Sequence, residues 1–220
     1  MMENGGRRVI PRKVSVRVPD DVLQEDLEKY RKMAIELGAT DAKIIPAEMV
    51  SIDDRVIAKC AYPRCTFYGT NAHCPPYTMD IERARKVVSN FRYAIFLWIK
   101  VPSDIIAGRE GARNILPWSR KTHEIVSRIE SEAFFDGYKL ALGFAAGSCK
   151  TVFCPNLECS ALTPGQSCRH SLKARSAMEA VGMDVMNLAA KVGLDVYPIG
   201  PVVSPSDVPH GFRFAIVFID

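Results

Sequence analysis

Apolar and polar positions recur along this chain with two periods, and the places where one gives way to the other mark out helices and strands. Leu23, Leu27, Tyr30, Ala34 and Leu37 fall at helical spacing, so residues 20–37 are expected to form an amphipathic helix, capped by Asp20 or Asp21 and stopped by Gly38. "AKIIPAEMVSI" and "RVIAK" read as short extended segments, the second running straight into Cys60. Thr78 or Asp80 caps a second helix that continues to Phe91, and "YAIFLWIKV" follows as a strand whose unbroken apolarity suits burial on both faces. Beyond a linker rich in Gly and Pro, residues 118–135 turn Ile125, Val126, Ile129 and Ala133 inward as a third helix that stops at Gly137. "KLALGFAAG" reads as another buried strand ending just before Cys149. Helices over 172–180 and 185–191, separated by Gly182, lead through "DVYPIG" to a final apolar strand, "FRFAIVFID".

Strands separated by helices predict an α/β fold, a mostly parallel or mixed sheet flanked by helices. Both groups of cysteines begin where a predicted strand ends, and in open α/β sheets ligands gather at the carboxyl ends of strands. Residues 14–220 are expected to form a single α/β metal-binding domain, with 1–13 a flexible N-terminal segment.

Composition narrows the class. At 220 residues with 48% hydrophobic content, the chain buries a useful core without cross-links. Its net charge of +4 is spread along the sequence, so no nucleic-acid partner is expected. The N-terminus lacks the apolar core of a signal peptide, and the longest apolar run, "AIFLWI", is too short to span a bilayer. A cytoplasmic protein with no membrane partner is expected. Its seven cysteines, an odd number in a reducing compartment, then point to metal or redox chemistry in place of disulfides.

Cys60, Cys65 and Cys74 are spaced Cys-x4-Cys-x8-Cys, and Cys154, Cys159 and Cys168 repeat that spacing. Cys149, five residues upstream of the second group, brings the inventory to three plus four. Thiolates suit zinc, cuprous copper or iron–sulfur clusters. Structural zinc most often uses tight paired knuckles, and this chain has no Cys-x2-Cys. Iron–sulfur ligands accept wider steps, Cys-x4-Cys among them, and are often followed by proline, as Cys74 is by Pro75 and Cys154 by Pro155. The spacing favours iron–sulfur clusters, one or two and of the 4Fe-4S type, with zinc as the alternative.

"CAYPRCTFYGTNAHCPP", with Tyr68-Gly69 ahead of Cys74-Pro75-Pro76, and the later "CRHSLKARSAMEAVGMDV" resemble the predicted metal-binding proteins of the domain of unknown function 2284 family. The resemblance runs from Cys60 to about Gly200. The chain departs from that pattern with Ser176 and Ala177 in place of Pro and Ser, and with His170 where Pro is common. The resemblance implies metal binding, of an iron–sulfur group in preference to zinc, in anaerobic bacteria or archaea, and it implies no particular reaction.

Four thiolates at Cys149, Cys154, Cys159 and Cys168 saturate a four-iron cluster, whereas three at Cys60, Cys65 and Cys74 leave one iron open to a ligand. Alternatively His73, another side chain or a cysteine from the other group completes the first site, and Cys149 can serve either group; for His73 and His170, hydrogen bonding to cluster sulfur or proton transfer is favoured over ligation. His73 and His170 lie beside ligand cysteines, Arg169 and Arg175 flank the second group as countercharges, and His123 with Glu124 reads as the polar face of a helix. No Walker loop, dinucleotide fingerprint or nucleophile elbow is present, so no residue is assigned a catalytic role. Two function classes follow: a redox or sulfur-handling iron–sulfur protein, enzyme or electron carrier, working with a redox partner protein; and a zinc-stabilised interaction module.

Overall fold

The computed structural model describes residues 9–220. Helix α1 (Asp20–Glu36) forms where the periodicity requires it, with Leu23, Leu27, Tyr30 and Ala34 buried and two aspartates in the first turn, where the helix dipole favours negative charge. Gly38, at φ +109°, supplies the left-handed turn that ends it. Strand β1 (Asp41–Pro46) follows, and the chain then leaves the sheet through helix α2 (Asp54–Ala61) and helix α3 (Ile81–Val88) before returning as strand β2 (Tyr93–Pro102). The extended reading of "RVIAK" is therefore wrong. Asp53 accepts a hydrogen bond from the Arg55 N–H and caps a helix whose last turn carries Cys60. Asp80 caps α3 in the same way, through the N–H of Arg83.

Past β2, two short helices, α4 (Ser103–Ile106) and α5 (Gly111–Asn114), lead into the long helix α6 (Leu116–Phe135), which Gly137 ends at φ +99°. Strand β3 (Leu142–Phe144) is short, and helix α7 (Cys149–Phe153) begins five residues after it. Gly143 permits close packing here: a β-carbon on it would stand 2.2 Å from Val126 Cγ1 of α6. The helix expected over 172–180 does not form. That segment lies against the end of β3 instead, with the Ala145 N–H donating to Ser176 O and the Met178 N–H to Ala145 O. Tertiary pairing has overridden local propensity. Helix α8 (Val185–Lys191) and strand β4 (His210–Phe218) complete the chain.

The sheet has the order β1-β2-β4-β3, and every pairing is antiparallel. This corrects the expected parallel or mixed sheet. The connection from β1 to β2 starts at Pro46 and ends at Tyr93, which face each other in the register, so the intervening helices make an excursion and return to the same end of the sheet. They do not cross over lengthwise, which is the condition for parallel pairing.

The apolar run of β2 has the cause expected, burial on both faces, although its neighbours are antiparallel. Ala94, Phe96 and Trp98 pack with Phe214, Ile216 and Phe218 of β4 against α3, α8 and the segment 178–183. Ile95, Leu97 and Ile99 pack with Ala215 and Val217 against α1 and α6. A central antiparallel strand covered by helices on both faces needs the same unbroken apolarity as a parallel one. The expected N-terminal segment 1–13 lies for its first eight residues outside the described ones. Arg12 forms an ion pair with Asp26 and donates its backbone N–H to Phe135 O. Among the described residues no helix is long and apolar enough to cross a membrane.

Candidate metal centres

The first cysteine group begins at the end of a helix and not of a strand. Cys60 sits in the last turn of α2, Cys65 is exposed, and Cys74 is half-buried. Backbone bonds fold the loop on itself: Cys65 N–H to Cys60 O, Tyr68 N–H to Cys65 O, and Gly69 N–H to Pro75 O. Gly69 has φ +74°, so the turn expected at Tyr68-Gly69 is there, and it needs glycine. Burial raises the Cys60 thiol pKa, and Cys65, Cys74 and Glu179 add to that rise as nearby negative groups.

The second group is built around α7. Ser148 caps this helix through the Lys150 N–H; Cys149 opens it and Cys154 follows its end. The carbonyls of Cys154, Cys159 and Cys168 each accept the N–H three residues on, so each thiol leaves the chain at a turn. Cys149, Cys154, Cys159 and Cys168 together line one cavity of about 50 Å³, along with Phe153, His170 and Ala174. That space holds a few atoms of water size. Cys149 is buried, and its thiol is pushed up to about 12, first by desolvation and then by Cys74 and the three other thiols of the cavity. Among the described residues no three His, Cys, Asp or Glu side chains converge closely enough to grip a single ion.

The two groups are neighbours. Asn71, from the first loop and only 1% exposed, places Oδ1 3.5 Å from Cys149 Sγ and donates from Nδ2 to Ser148 Oγ at 3.3 Å. Ser148 Oγ in turn lies 3.6 Å from Cys74 Sγ. His73 Nδ1 stands 3.3 Å from Cys149 Sγ, so its ring faces the second group and does not complete the first. Burial lowers the His73 pKa, with Arg175 adding to the effect.

A model of the family described as "Predicted metal-binding protein (DUF2284)" matches residues 43–207, well over half of the chain. The chain is a DUF2284 protein. No curated protein and no solved structure matches it. All seven cysteines of this DUF2284 protein lie inside the matched span.

Sequence reasoning missed Asn71 and Ser148, whose residue types carry no metal signal; their role comes only from lying between two loops. It also misplaced His123, which is 0% exposed and not on a polar face. His123 Nδ1 accepts the Arg175 N–H at 3.2 Å, and its ring packs edge-on to Phe153, which in turn stacks on His170. Desolvation is the largest cause of its pKa falling to about 3, followed by repulsion from His73 and Arg175. Of the two flanking arginines, Arg175 forms an ion pair with Glu130, whereas Arg169 donates to the backbone carbonyl of Glu158 at 2.7 Å, which leaves its positive charge in place.

Proposed function

We propose that this DUF2284 protein binds iron–sulfur groups at two sites and works as a redox or sulfur-handling protein, serving as an enzyme or as a carrier for a redox partner. Cys149, Cys154, Cys159 and Cys168 hold the closed centre. Cys60, Cys65 and Cys74 hold a second one with a position left for an outside ligand. The observation that carries this reading is that four thiols from one stretch of chain line one cavity. Four thiolates are the full ligand set of a 4Fe-4S cluster. Structural zinc most often uses tight knuckles, whereas Cys149, Cys154, Cys159 and Cys168 are separated by four, four and eight residues, steps that iron–sulfur ligands accept.

When bound, such a group supplies one-electron transfer. The chain's own part is to hold and shield it. Phe153 and Ala174 give the four-thiol cavity apolar lining, and Cys149 is buried, which lowers the dielectric around a bound group. At the first site, Cys65 is exposed and His73 is turned away, so an outside ligand has a path to the three thiols.

Anaerobic purification or reconstitution, with iron and acid-labile sulfide counted per chain and the reduced protein examined by electron paramagnetic resonance, tests the reading. Iron and sulfide in equal amounts with two reducible signals are expected. A colourless protein with stoichiometric zinc and no labile sulfide would sink it and leave the structural interaction module.

A further inference from the structure

The first loop reaches into the second centre. His73, the residue just before the ligand Cys74, aims Nδ1 at Cys149 Sγ, 3.3 Å away. Its position is set from both sides: its backbone N–H donates to Asn71 Oδ1 at 3.0 Å, and Asn71 is tied through Nδ2 to Ser148 Oγ, the residue before Cys149. The imidazole is therefore held by one loop and presented to the thiol of the other.

A metal-bound thiolate only accepts hydrogen bonds. Asn71 offers Cys149 an acceptor, Oδ1, which the His73 N–H keeps in that orientation. That leaves the His73 ring as the side-chain donor facing this sulfur, in the tautomer with the proton on Nδ1. Hydrogen bonds to ligand sulfur withdraw charge from it and stabilise the reduced, more negative state of a thiolate-bound cluster, which raises its potential.

We infer that His73 is a positioning residue through which the first cysteine loop sets the reduction potential of the four-thiol centre, its Nδ1–H donating to the Cys149 thiolate. The inference rests on the iron–sulfur reading above. It also gives a reason for the loops to lie side by side: a change at Cys74 moves the residue next to it, and that residue touches the other centre.

The experiment is a redox titration of the reconstituted full chain, followed by electron paramagnetic resonance, for wild type, His73→Leu, His73→Ala and His73→Asn. Leu and Ala remove the donor; Asn places an N–H at nearly the same reach as Nδ1. The four-thiol centre is expected to keep its iron in all four proteins, to shift to a more negative potential in His73→Leu and His73→Ala, and to recover most of that shift in His73→Asn. Unchanged potentials in both donor-free variants would overturn the inference while leaving the iron–sulfur reading in place. Loss of iron from the four-thiol centre in those variants would also overturn it, by making His73 a ligand. A wild-type chain with no reducible centre would overturn both.

Discussion

His123 is a histidine with a neutral ring sealed inside the protein, and acid should therefore weaken the fold by a calculable amount. In the unfolded chain an imidazole takes up a proton near pH 6.5; in the folded chain His123 does so only at about 3, because desolvation and the nearby His73 and Arg175 disfavour the charged form. Between those values the unfolded state binds more protons. Stability contributed by the neutral ring is thus whole above about pH 6.5 and is lost as pH falls towards 3. At 1.36 kcal/mol per pH unit, the loss from pH 7 to pH 5 is about 2 kcal/mol. The figure barely depends on how far below 5 the native value lies, since the folded ring is already neutral at pH 5. Urea unfolding of wild type and His123→Gln at equal metal content, at pH 7 and pH 5, isolates the effect from the carboxylates, which titrate in both. Gln does not titrate and has an acceptor for the Arg175 N–H. Wild type should lose about 2 kcal/mol more than the variant over that interval. Parallel pH dependences would show that His123 is hydrated or protonated in the fold, and the sealed packing against Phe153 would be refuted.

Cys149→Ala should abolish the four-thiol centre and spare the three-thiol one, reducing bound iron by about half if each site carries four irons; loss of the first signal instead would reassign the thiol. Because the Cys149 thiol is held up to about 12, metal loading of its centre must expel a proton, so loading at limiting metal should increase from pH 6 to pH 8, measured as iron bound per chain. Asp53→Ala removes the cap of α2 and should cost about 1 kcal/mol; because α2 carries Cys60, the three-thiol signal should weaken before the other as iron becomes limiting. Phe96→Ala empties the middle of the core between the sheet and the α3/α8 layer and should cost about 3–5 kcal/mol in urea unfolding.

Elements with a local signature could be read in advance. The stripe Leu23, Leu27, Tyr30 and Ala34 places α1, and Ile125, Val126, Ile129 and Ala133 place α6, because a helix buries positions three and four apart whatever lies beyond it. The segment around Cys60 is misread as extended for a related reason. Val56, Ile57 and Ala58 form an apolar run too short to show a period, and the Asp53 cap, which decides for a helix, is a single residue. Residues 172–180 failed differently: their helical spacing is real, but Ala145 offers them backbone partners from a distant part of the chain. Strand direction had no local signal at all, since an unbroken apolar strand is required wherever both faces are covered.

The sequence by itself determined the chemistry available: seven thiols, the repeated Cys-x4-Cys-x8-Cys spacing and the extra Cys149 follow from covalent order and need no fold. Family membership rests on that order too. Only the tertiary structure decided which residues meet the thiols. Ring direction, burial and contact between loops depend on residues far apart in sequence: Asn71 and His73 meet Cys149 across more than seventy intervening positions. Such contacts form when the loop after α2 and the helix after β3 are brought together by the sheet and its flanking layers, and no short stretch of sequence encodes that approach.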